Sequence, residues 1–162
     1  MIVIADTSIL LNLCRVDQQQ LLHSLYQNVV VPASVHQEFE QAVRYARFSG
    51  MVFPKYIHVT TPKTNLQHWA PGAKLHQGES DAIALAKDMK ADLLLLDERK
   101  GRVVAARLEI VVSGLLGILI QARRQGLLKN LSSTLDRLRH EAGFYLSDRH
   151  ISEALRAVEE KL

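Results

Sequence analysis

"DLLLLDERKGRVVAARLEIVVSGLLGIL", residues 92–119, decides the fold class. Its first run, Leu93 to Leu96, is apolar without polar alternation and ends in two acids, Asp97 and Glu98. A strand with one wet face alternates apolar and polar residues, so an unbroken apolar run reads as a strand buried on both faces, the habit of parallel sheets. "GRVVAARL" (101–108) has helical spacing, "LEIVV" (108–112) reads as a second buried strand, and Leu115, Leu116, Leu119 and Ile120 after Gly114 begin a further helix. Strand alternating with helix predicts an α/β fold, a three-layer α/β/α sandwich on a mostly parallel sheet with right-handed crossovers.

The same rhythm extends toward the N-terminus. "MIVIA" (1–5) and "NVVVP" (28–32) are short β-branched runs of the buried kind. Helical spacing follows in Ile9, Leu10 and Leu13, in Leu21, Leu22 and Leu25, in Val35, Phe39, Ala42 and Val43 after Pro32, and in Ala82, Ile83, Leu85, Ala86 and Met89 after Gly78. Residues 44–77, with Pro54, Pro62 and Pro71, break the pattern and read as a surface excursion in which "YIHVTT" (56–61) resembles an edge strand. Residues 1–130 are therefore expected to form the α/β domain. Residues 131–162, with Leu135, Leu138, Ile151, Leu155 and Val158 at helical spacing, are expected to form a C-terminal helical appendage packed on it.

Composition limits the function classes. The chain has 162 residues, 48% of them apolar, which is enough for one core and short of two ordinary domains. A net charge of +3 permits a polyanionic partner without requiring one, since both signs are interleaved. Cys14 is the one cysteine, so no internal disulfide and no cysteine-based zinc site form, and a reducing cytoplasm suits it. Asp6 interrupts the N-terminal apolar stretch and no run approaches a membrane span, so a soluble cytoplasmic protein is expected. No G-x-G-x-x-G and no glycine loop ending in Gly-Lys-Ser/Thr occurs, and His58, His68 and His76 lack H-E-x-x-H spacing.

The chemistry lies in the acids. Asp6 follows the first strand and Asp97 the "LLLL" strand, and in an open parallel sheet both strand ends lie on the edge where ligands bind, so the two are expected as neighbours. Glu79 and Asp81 begin a helix that the strand rule does not place, and Glu38 lies about two turns into the helix begun at Pro32. Carboxylates gathered in one cleft repel one another, by roughly 4 kcal/mol per pair about 4 Å apart at an effective dielectric near 20. Either some stay protonated or a hard divalent cation such as Mg²⁺ or Mn²⁺ sits among them, which is the chemistry of phosphodiester hydrolysis.

"IADTSILLNL", "VVVPASVHQEF" and "GESDAIALAKDMKADLLLLDERKGRVVAARLEIVVSGLLGIL" together resemble a PIN-domain ribonuclease, the family that includes the VapC toxins of bacterial toxin–antitoxin pairs. The likeness spans residues 2–126, and its last segment is similar to a PIN-like subgroup. It implies a Mg²⁺- or Mn²⁺-dependent endoribonuclease that acts on single-stranded or structured RNA, is often a homodimer, and is inhibited by a small antitoxin. It assigns Asp6, Glu38, Asp81 and Asp97 as catalytic, metal-holding acids, with Glu98 and Glu79 as further candidates, and Ser8 as a substrate-binding residue that orients Asp6 or touches phosphate. Arg99 and Arg102, directly after the metal site, are candidate phosphate contacts.

Each residue also has an ordinary explanation. Asp6 or Ser8 would serve as a helix N-cap, Glu79 and Asp81 suit the positive end of a helix dipole, and Arg99 and Arg102 suit a solvated helix face. Two rival functions stay open: a catalytically silent PIN-like binding module, and an aspartyl phosphotransfer protein, although "ADTS" lacks the second aspartate of a D-x-D pair.

Overall fold

The computed structural model describes residues 1–160. Five parallel strands, β1 (Val3–Ala5), β2 (Val29–Pro32), β3 (His58–Thr60), β4 (Leu93–Leu95) and β5 (Val112–Ser113), form one sheet in the order β3-β2-β1-β4-β5. The chain builds outward from β1 to β3, then returns to pair β4 with the other side of β1. The topological switch point therefore lies between β1 and β4.

Alternation along the strands feeds two cores. Val3, Ala5, Val29, Val31 and Leu95 face one side, and Ile4, Val30, Leu94 and Leu96 the other. The first side is covered by α1 (Thr7–Arg15), α2 (Gln20–Tyr26), α3 (Ala33–Ala42), α7 (Leu115–Arg124), α8 (Leu131–His140) and α9 (Asp148–Ala157). The second is covered by α4 (Leu66–Trp69), α5 (Gln77–Asp88) and α6 (Arg99–Arg107). The result is the three-layer α/β/α sandwich that unbroken apolar strands demand.

One detail differs from the sequence reading. The run 108–112 yields a strand only at Val112–Ser113, because α6 continues to Arg107 and closes through Glu109 in the left-handed region (φ 60°), with the Ile110 N–H donating to the Ala105 carbonyl at 3.0 Å. The β3 strand lies at the sheet edge as expected, and all three of its residues are exposed.

The C-terminal helices share the main core. Leu131, Leu135, Leu138, Ile151 and Leu155 are buried in one cluster with Val3, Ala5 and Ile9. Polar contacts tie the same helices down: Glu160 accepts from the Leu131 and Ser132 N–H groups at the start of α8 and pairs with Arg123 of α7 at 3.0 Å, while Arg137 donates to the Val16 carbonyl at 3.0 Å. Truncating Leu138, which has no exposed surface, leaves a cavity and costs about 2–5 kcal/mol. Leu138→Ala is expected to lower the urea midpoint read by the fluorescence of Trp69, on the opposite side of the sheet. An unshifted Trp69 transition would mean that the C-terminal helices unfold on their own.

Candidate active site

Asp6 is set by the strand it follows. Its N–H donates to the Leu95 carbonyl at 3.0 Å, continuing the β1–β4 pairing by one residue, and its side chain is 5% exposed. It stands at the N-cap position of α1, yet its carboxylate makes no capping hydrogen bond, so helix capping does not explain it.

Glu38 comes in from α3 and is held at both oxygens. The Thr7 hydroxyl donates to Oε1 at 2.6 Å and the Gly78 N–H to Oε2 at 3.1 Å. Gly78 is bare for a reason: a β-carbon there would overlap the Glu38 carboxylate. One residue on, Glu79 is 7% exposed, and its Oε2 is buried without a hydrogen-bond partner. Gly101 of α6 packs beside it, where a β-carbon would lie 3.1 Å from that oxygen and 2.8 Å from Leu96. Asp97, two residues past the end of β4, accepts from the Leu115 N–H at 3.2 Å to each oxygen and so caps α7.

These four acids share one electrostatic environment. The Asp6 carboxyl is pushed up from 3.8 to about 7: burial is the largest cause, the Thr7 N–H offsets part of it, and the charges of Glu79, Glu38 and Asp97 add to it. Glu79 is raised by burial, then by Glu98 and Glu38, with His76 opposing. Burial also raises Asp97, against the Leu115 N–H and the Arg102 charge. Among the described residues, no ion pair within 4 Å balances any of the four.

The remaining candidates fall around this group. Asp81 accepts from the Ser34 hydroxyl at 2.6 Å, one turn from Glu38 along α3, and from Gln77 at 2.9 Å, and it is not among the charges acting on Asp6. Ser8 is half-buried in the first turn of α1, where its carbonyl accepts from Asn12 at 2.8 Å. Glu98 is exposed at the N-cap position of α6 and lines a cleft of about 400 Å³ with Glu79, His76, Lys74 and Lys100. Arg102 lies beside Asp97 over Gly114, whereas Arg99 is exposed and lines none of the clefts described here. Sequence reasoning left out Thr7 as the anchor of Glu38 and His76 as the neighbour of Glu79.

The donors are all hard carboxylate oxygens, the kind that Mg²⁺ and Mn²⁺ take. Among the described residues, no three carboxylate, histidine or cysteine side chains stand close enough to form a ready-made cage for one ion. The unpartnered Glu79 oxygen and the raised Asp6 carboxyl mark a group short of positive charge, which fits a cation held by one or two carboxylates with water completing its shell.

The buried acid has a measurable consequence. Between about pH 4 and about pH 7 the native metal-free protein keeps a proton on Asp6 that the unfolded chain, titrating near 3.8, has released, so stability falls as pH rises through that window. Asp6→Asn removes this contribution, and its Tm in EDTA is expected to vary less than that of the wild type from about pH 5 to about pH 8 and to be higher at the upper end. An identical pH slope in the two proteins would contradict a buried, raised Asp6.

No curated protein and no solved structure matches the chain. A family model described as "PIN domain" matches residues 2–160, running past Gly126 through α8 and α9. With a parallel sheet whose switch point carries the acid group, and a family match over nearly the whole sequence, the chain belongs to the PIN-domain family, a family of nuclease fold.

Proposed function

We propose that the chain is a divalent-metal-dependent endoribonuclease in which Asp6, Glu38, Glu79 and Asp97 hold Mg²⁺ or Mn²⁺. The observation that carries this reading is the buried, unpartnered oxygen of Glu79 together with an Asp6 carboxyl that burial, and then the charges of three further acids, push toward neutrality. Carboxylates packed in that way require a cation or a proton, and PIN nucleases in general bind RNA.

A bound divalent ion supplies Lewis acidity, which lowers the pKa of water and stabilises charge developing on a phosphoryl oxygen. The protein's own work is positioning. Thr7 and the Gly78 N–H fix Glu38, the Leu115 N–H fixes Asp97, and burial behind Leu96 and Gly101 fixes Glu79. Arg102 on one side and Lys100 on the other supply positive charge for the phosphates flanking the cleavage point, with Ser8 close to Asp6. In this reading Glu79 fills the third acidic position and Asp81 supports α5 through Ser34 and Gln77. The role of toxin, inhibition by a small antitoxin and a homodimeric state rest on the VapC resemblance.

One observation favours a catalytically silent scaffold instead: both Glu38 oxygens are already engaged within the protein. Cleavage separates the two readings. With labelled mixed-sequence RNA in Mn²⁺ or Mg²⁺, the wild type is expected to cut internally and to stop in EDTA, while Asp6→Asn lowers the rate by at least about 100-fold. Absence of cleavage of any RNA, together with absence of Mn²⁺ binding, would favour the scaffold.

A further inference from the structure

A second cleft, of about 410 Å³, begins at the acid group and runs toward the C-terminal helices. Asp97, Arg102 and Gly114 line one side of it, and Phe144 and Tyr145 of the α8–α9 connection, with His150 of α9, the other. Its volume falls within the range of roughly 300–1,000 Å³ usual for small-ligand sites.

Its two sides differ in chemistry. Asp97 and Arg102 lie over Gly114, where a β-carbon would overlap the Asp97 carboxylate, so that side pairs bare backbone with one acid and one cation. Opposite, Tyr145 is 78% exposed, an unusual position for a large aromatic ring with no core to join. The ring is nevertheless held on firm ground. Leu146 next to it is buried, and His150 meets it edge-on at 6.4 Å. The His150 Nδ1 accepts from the Ser147 N–H in the capping box of α9. At the other end of the connection, Gly143 (φ 68°) leaves room for the Arg47 guanidinium, within 3.2 Å of where a β-carbon would stand.

We propose that this cleft is a nucleobase subsite: in single-stranded RNA, the base next to the scissile phosphate stacks on Tyr145 while Arg102 meets its phosphate. The inference rests on the nuclease reading and adds a base-stacking residue to it, one that a base still paired and stacked in a duplex is not free to reach. Asp97 ties the two together, since it belongs both to the acid group and to the cleft. The α8–α9 connection thereby gains a function that the acid pattern alone does not give it.

The 162-residue chain carrying Asp6→Asn, to prevent cleavage, is titrated with a fluorescent single-stranded RNA of mixed sequence and with the matching duplex. Adding Tyr145→Ala is expected to weaken single-strand binding by about tenfold, whereas Tyr145→Phe, which keeps the ring, binds as the parent does. In the otherwise wild-type chain, Tyr145→Ala is expected to raise KM and leave kcat unchanged. If the wild type cleaves RNA and Tyr145→Ala alters neither KM nor binding, the subsite is overturned and the nuclease stands. If the wild type neither cleaves nor binds RNA, the nuclease reading fails and the subsite with it. Duplex binding that depends on Tyr145 as strongly as single-strand binding also overturns the proposal.

Discussion

Like charges in a confined space are the constraint on which the rest of this molecule turns. Asp6 is buried at the carboxyl edge of the sheet and feels the charges of Glu79, Glu38 and Asp97, and among the described residues none of the four has an ion-pair partner within 4 Å. Such a group persists because it is brought together by elements anchored elsewhere: β1 and β4 by the two apolar cores, α3 by Val35 and Phe39, and α5 by Ala82 to Ala86. The sheet order then sets the location. A chain that winds outward from β1 and returns on its other side leaves the ends of β1 and β4 facing a common crevice, the place where open α/β sheets bind ligands.

The strands and their direction were legible because buried parallel strands leave a plain mark, four or five apolar residues without alternation. The neighbourhood of Asp6 and Asp97 followed from that alone. The choice of third acid, Glu79 in the proposed site, did not. "GESDAIALA" offers Glu79 and Asp81, and the usual test of which helix face is buried fails, since Ala82, Ile83, Ala84, Leu85 and Ala86 are all buried. What distinguishes them is contact at long sequence separation: Gly101 leaves room beside Glu79, while Ser34 takes the carboxylate of Asp81. The glycines were the available signal. Gly78, Gly101 and Gly114 each stand where a β-carbon would press on an acid of the group, yet in sequence they read as ordinary helix-start or helix residues.

The C-terminal helices show the same limit. Their amphipathic spacing was visible, but a helix pattern does not say which surface it covers. Leu131, Leu135 and Leu138 complete the core on the β1 side, and the family match likewise runs to residue 160. The strand expected at 108–112 was shortened because a left-handed residue, Glu109, ends α6 late, a conformation that nothing in the residue type announces.

Calorimetric titration of Mn²⁺ into the wild-type chain, Glu79→Gln and Asp81→Asn decides whether the acid group takes up a divalent cation through Glu79 and not through Asp81. Saturable binding by the wild type and Asp81→Asn, with its loss in Glu79→Gln, is the expected result. Equal binding by Glu79→Gln and the wild type, or loss in Asp81→Asn alone, would contradict it.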